Sequence, residues 1–327
     1  MKLKQLVTRS STYIRRYPTH YGGYGLFALA FYGLASYSKD SKHEIIRIGF
    51  AGSIAQFITE IVFHPIDVIN TRTKAEISHK DNMNSSKMLK RIATKEGFFG
   101  FWHGASSTYY GALIGGMIYF SFYKYLKNHI KKFEDKSGDV RGLHMIAYSA
   151  SSFLGETLYL LFYYPYDLIR TRMQTRLPGF EYKGPLDGCR IIMEGKLSNI
   201  PRLYVGATPS FILNVTNTTI LFTVLESMRE YFLKKNNVTS VNQLSIYTYL
   251  LCSVSAGVIS GAATNILEVV TIHKQVDPKF NLKSFIREQG FKVFTQGLLA
   301  RVIVNVCHSV MLFYVVDEIS KIFNVEL

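Results

Sequence analysis

Two apolar stretches of the chain end in a proline, an acid two residues on, and bases beyond it. The first holds Pro65, Asp67 and Arg72, with Asn70 in the first base place; the second holds Pro165, Asp167, Arg170 and Arg172. At the end of a helix such side chains can pair with neighbouring helices, and a low dielectric strengthens the attraction. Each proline removes a backbone donor and crowds the preceding turn, so Pro65 and Pro165 are expected to kink their helices inward. A ring of such pairs is a gate, and its chemistry is ion pairing, not bond making. His64, His103, His144, His273 and His308 are scattered without metal-ligand spacing, and no nucleophile–base pattern or phosphate loop appears. The expectation is therefore no enzyme, no metal and no cofactor. Cys189, Cys252 and Cys307 have no paired spacing and read as small apolar residues.

The elements that carry these residues repeat. The run HMIAYSASSFLGETLYLLFYY, His144 to Tyr164, is long enough to cross a bilayer, and IGFAGSIAQFITEIV precedes the first motif. A further step of about one hundred residues reaches ATNILEVVTIHKQ, where Glu268 holds the acid place, Thr271 the base place and Ile266 the proline place. A second marker follows each copy: EGFFGFWHG to Gly104, SNIPRLYVG to Gly206 and QGFKVFTQG to Gly297. Each final glycine opens another apolar segment. Expected spans are 45–70, 104–131, 143–172, 205–233, 246–274 and 297–322, joined within each copy by a surface helix such as SSKMLKRIATKEG at 85–97. The connection from Ile266 to Gly297 is shorter than its counterparts. The fold class is an all-α membrane protein of six transmembrane helices in three repeats, 45–139, 140–240 and 241–327.

Composition agrees. Of 327 residues, 48% are hydrophobic and 14% aromatic, and the net charge is +15. The basic residues are spread between apolar runs, which suits anionic lipid and not nucleic acid.

On these motifs the chain resembles the mitochondrial carriers, whose signature is Pro-x-Asp/Glu-x-x-Lys/Arg-x-Lys/Arg followed by an aromatic, basic, glycine triplet. The resemblance covers about 45 to 322 and implies a six-helix barrel with threefold pseudosymmetry in the inner mitochondrial membrane. It also implies alternating access to a central solute site, with the proline motifs toward the matrix. Carried over, each acid pairs with the base of the next odd helix. Only Asp67 with Arg170 can then form an ion pair; Asp167 faces Thr271 and Glu268 faces Asn70, so the gate has lost two of three bridges. Gln174 and Gln275 take the brace position beneath it, with Lys74 in the first repeat.

The network at the other end maps to Lys124 and Lys127, Glu226 and Arg229, and Asp317 with Lys321 one place off; the alternative is that these are interfacial side chains. The solute contact points map to Gly111, Leu213 with Asn214, and Val304, none of them charged. Arg301 is the nearest base, facing either the cavity or lipid. Glu60 and Glu156 are intramembrane acids, functional candidates unless protonated or hydrogen-bonded to tyrosines. The family prefers a small residue at the Glu156 place; Gln56 replaces it in repeat one and Gly257 alone keeps it, so close helix packing is expected to weaken in two copies. Cardiolipin is expected at Gly104, Gly206 and Gly297, where helix N-termini offer N–H groups to phosphate.

Residues 1–44 lie outside the resemblance. MKLKQLVTRSSTYIRRYPTH is basic without an acid, and the uncharged run Tyr21–Ser38 reads as a retained hydrophobic helix that docks on a protein partner. Two functions compete. The degenerate gate, uncharged contact points and added helix favour a non-transporting accessory subunit of a larger inner-membrane complex; the repeats favour an active carrier of a small metabolite.

Overall fold

In a bilayer the backbone has no water to bond, so an apolar segment must satisfy its own N–H and C=O groups as helix. The computed structural model describes residues 44–75, 84–137, 141–237 and 244–323. Six long helices dominate: α1 (Glu44–Ala75), α3 (Ala105–Ser137), α4 (Arg141–Thr175), α6 (Ala207–Asn236), α7 (Ile246–Val276) and α10 (Leu298–Phe323). Between the members of each pair lie the short helices α2 (Ser85–Lys95), α5 (Pro185–Met193), and α8 (Leu282–Gln289) with α9 (Lys292–Thr295). Local chemistry sets several of their starts: Asn84, Ser245 and Asn281 accept N-cap hydrogen bonds for α2, α7 and α8, and α5 opens on Pro185.

The spans run further than the sequence suggested. The stretch expected at 45–70 continues to Ala75 and that at 143–172 to Thr175; Pro65 and Pro165 lie inside these helices, as the expected spans had them. The Pro165 ring leaves the Leu161 carbonyl without its helical donor, and the Tyr204 hydroxyl donates to that oxygen at 2.7 Å. Side chains that would compete with the helix bond back into it instead, as Ser53 does to the Gly49 carbonyl and Thr59 to that of Ala55.

The long helices follow one another around a ring in which α1 packs on α3, α3 on α4, α6 on α7, α7 on α10 and α10 back on α1, with a much sparser contact between α4 and α6. Small residues let backbones meet. A Cβ added at Gly116 would lie 2.9 Å from Ser53 Cα, and one at Gly257 would lie 2.7 Å from Val306 Cα. Close packing expected to weaken in repeat one is thus kept by Ser53 and Gly116, while Gln56 donates to the Tyr159 hydroxyl on α4. Leu161, Phe162, Phe222, Leu251 and Ile259 are exposed on the outer wall, as lipid contact requires. Among the described residues, 44–75, 207–236, 247–276 and 292–311 are long and apolar enough to cross a membrane. Tyr21–Ser38 lies outside the described residues.

Candidate functional site: a rewired gate beneath a cavity

One end of the ring is tied shut by the odd helices α1, α4 and α7, and the ties repeat in threes. The Gln174 amide donates to Asp67 at 2.9 Å and that of Gln275 to Asp167 at 2.8 Å. In the corresponding place Lys74 is ion-paired to Glu268. Each brace position therefore serves the acid of the preceding odd helix in the cycle. One turn further the last basic places reach neighbouring backbone: Arg72 donates to the Gln174 carbonyl at 2.7 Å and Arg172 to that of Gln275 at 2.9 Å. His273 makes its backbone hydrogen bond at Lys74.

The gate that sequence reasoning read as two-thirds lost is rewired. Arg170 lies 2.8 Å from Asp167 on its own helix, 3.7 Å from Asp67 and 4.0 Å from Glu60. Asp167, expected against Thr271, is held instead by Arg170 and Gln275, and the Thr271 hydroxyl donates to the Leu267 carbonyl. Asn70 does face Glu268, donating at 3.2 and 3.3 Å, but Glu268 also takes Lys74 and, at 2.9 Å, Arg301. Arg301 therefore points inward, with its Nη2 3.4 Å from the Thr264 hydroxyl. The base missing from position 70 is replaced from one turn below and from α10.

Each triplet glycine is packed against this layer. Gly104, Gly206 and Gly297 have φ of +78, +81 and +67°, and added Cβ atoms would meet Gln174, Gln275 and Lys74 respectively. Glycine is needed twice over at these positions, for φ and for space. Alongside them runs a threefold set that the sequence reading missed. The residue before each proline place bonds the carbonyl before each triplet glycine: His64 to His103 at 3.0 Å, Tyr164 to Val205 at 2.6 Å and Asn265 to Gln296 at 3.1 Å. Aligning the copies one residue before the proline place would have exposed three side chains able to donate.

Above the gate the interior is polar. Asn305 donates to the Asn217 carbonyl oxygen at 2.7 Å and to the Ser260 hydroxyl at 3.2 Å, joining α10, α6 and α7. On the other side Tyr159 and Tyr163 stack at 4.7 Å over Gly111 and Gly115. Gly111 thus seats a tyrosine; Leu213 and Val304 are buried, and Asn214 bonds back to the Ser210 carbonyl at 2.9 Å. Among the described residues neither Glu60 nor Glu156 makes the hydrogen bond to a tyrosine that the alternative reading offered.

The opposite end lacks comparable ties among the described residues. Lys124 lies 3.0 Å from Glu44 at the start of α1, and Arg229 lies 2.8 Å from Glu226 on its own helix and over the Tyr249 ring. The side chains of Lys127, Asp317 and Lys321 lie outside the described residues. The connecting layer carries its own pair. Glu96 takes Arg72 at 2.6 Å and Arg176 at 3.1 Å. Burial raises the Glu96 carboxyl, but the Arg72 hydrogen bond and charge outweigh it and hold the group below its ordinary range.

Comparison with known proteins closes the identification. The family model described as "Mitochondrial carrier protein" matches residues 41–134, 141–236 and 242–326. Folate transporter 1, chloroplastic, of Arabidopsis thaliana is 26% identical over 298 residues, covering 84% of this chain and 94% of that one. Mitoferrin of Dictyostelium discoideum is 31% identical over 158 residues, 48% of this chain and 49% of its own. The human mitochondrial tricarboxylate transport protein is 22% identical over 284 residues, 84% and 88% of the two chains. Three matched repeats, the threefold gate and its in-phase glycines place the chain in the mitochondrial carrier family, whose members are transporters and not enzymes.

Proposed function

We propose that the chain is an active solute carrier of the inner mitochondrial membrane, working by alternating access, with the odd-helix gate facing the matrix and drawn closed here. The observation that carries this reading is the rewired gate. A structural subunit has no need to keep all three acids engaged. Here Asp67 and Asp167 keep their amide braces, and Glu268 draws Lys74 and Arg301 in place of the missing base. The accessory-subunit expectation rested chiefly on a broken gate, and relatives over most of the chain include a folate transporter and a tricarboxylate transport protein. Ties made of hydrogen bonds and ion pairs, which separate without breaking covalent bonds, suit a gate that opens.

Cardiolipin at Gly104, Gly206 and Gly297 belongs to this reading, as does a protein partner for Tyr21–Ser38. Lipid that co-purifies without any cardiolipin, and normal native-gel migration after deletion of residues 1–44, would remove these two parts. The transport reading itself is tested in proteoliposomes by exchange of labelled metabolites. Saturable exchange that is lost when Arg170 is changed to Met supports it; no exchange of any solute, with the folded protein confirmed, overturns it.

A further inference from the structure

The charges in and above the tied layer do not balance. Along one face of α1, at sevenfold spacing, stand Glu60, Asp67 and Lys74; along one face of α4 stand Glu156, Tyr163 and Arg170. Arg170 is shared by Asp167, Asp67 and Glu60, three carboxylates on one guanidinium. Of these Glu60 is the most distant, and it is 8% exposed. Glu156 has no hydrogen bond or ion pair among the described residues. On the α7 side Lys74 and Arg301 are both committed to Glu268. Lys74, Arg170 and Arg301 thus each already face a carboxylate, while Glu60 has only its 4.0 Å share of Arg170 and Glu156 has none.

A second observation marks the same place. Tyr163 is 8% exposed, yet its hydroxyl has no hydrogen-bond partner, and its charged neighbours are Arg170, Glu60, Asp167 and Asp67. Tyr159 stacks on it with an interplanar angle of 16° and lies close to Glu156 and Glu60. Two carboxylates beside a stacked aromatic surface and a free phenol form a site for positive charge, which gains from both ion pairing and the ring faces. An anion would enter a region already short of cations. Among the described residues no three His, Cys, Asp or Glu side chains are grouped to hold a metal ion.

We propose that the polar interior above the tied layer takes an organic cation, a protonated amine or guanidinium, with Glu60 and Glu156 as counter-ions and the Tyr159–Tyr163 stack as the surface it lies on. This deepens the carrier reading by naming the class of solute.

The test is thermal unfolding of the full chain in lipid-supplemented detergent with agmatine, spermidine and choline, set against folate and citrate. At least one cation raises the midpoint and neither anion does. Glu60→Gln and Glu156→Gln each weaken the cation effect by about tenfold or more, the loss of a hydrogen bond to a charged group. Because Glu156→Gln removes an unpaired carboxylate and Glu60→Gln the most distant of three carboxylates on Arg170, which keeps Asp67 and Asp167, both variants fold. Stabilisation by the anions alone, by none of the compounds, or by cations equally in both variants overturns the proposal. Labelled agmatine and citrate uptake in proteoliposomes separates the two readings. Cation binding without transport leaves this inference standing and defeats the carrier reading; citrate transport without cation binding does the reverse.

Discussion

Glu268 is the point where the rewiring can be measured. It accepts from Lys74, Arg301 and Asn70, and the three ionic side chains are 12%, 0% and 11% exposed for Glu268, Lys74 and Arg301. Two cations share one carboxylate, so either can leave and the remaining pair is still neutral. Lys74→Met alone, or Arg301→Met alone, should then cost about 1 kcal/mol, a net hydrogen bond partly offset by relief of cation repulsion. The double variant leaves Glu268 buried against Asn70 only and should cost about 3–5 kcal/mol, the penalty of an orphaned buried charge. Glu268→Gln should cost the same, since it strands two cations. The cycle predicts a coupling of about 1–3 kcal/mol. At about 2 °C per kcal/mol for a chain of this size, the double variant should melt about 6–10 °C lower. The assay is thermal unfolding of purified protein at fixed lipid and detergent. Additive losses, or a Lys74→Met cost equal to that of Glu268→Gln, would refute the idea that Lys74 and Arg301 are redundant partners.

Further outcomes follow from other contacts. Arg170→Met strands Asp67, Asp167 and Glu60 together, so it should cost about 3–5 kcal/mol, and adding Asp67→Asn should recover only part of that; full recovery would mean the other two acids are not held by Arg170. Gly104→Ala meets the Arg170 carbonyl at 3.1 Å as well as a positive φ, whereas Gly179, also at positive φ, has nothing within 4 Å. Gly104→Ala should therefore exceed the about 1–2 kcal/mol backbone cost that Gly179→Ala shows, and equal melting shifts would refute it. Tyr204→Phe removes the donor to the Leu161 carbonyl and should cost about 1 kcal/mol by thermal unfolding. Burial pushes His103 from 6.5 down to about 4, with Arg72 and Arg176 adding to the shift. The unfolded chain takes that proton first, so stability should fall as pH drops from 6.5 to 4, and His103→Asn should flatten that interval; the Glu96 loss, from a lowered carboxyl, continues below it.

The sequence alone determined the architecture. Spacing of Pro65, Pro165 and Ile266 at a fixed period, with Gly104, Gly206 and Gly297 in phase, specifies three copies of one unit, and apolar runs of bilayer length leave helix as the only way to satisfy the backbone. It also located the acids and the braces, because a motif position is a property of the chain. Which side chains meet was decided only by tertiary structure. Pairing by motif position assigns each acid one partner, whereas a flexible four-carbon lysine one turn below Asn70, and an arginine on α10, both reach Glu268. Distance along the chain carries no information about such contacts, and neither does it show that Gln56 turns to Tyr159 while Ser53 takes the close helix contact. The charge imbalance around Arg170 was hidden for the same reason: Glu60 and Glu156 are legible as intramembrane acids, but that three carboxylates from two helices share one guanidinium appears only when α1 and α4 are brought together.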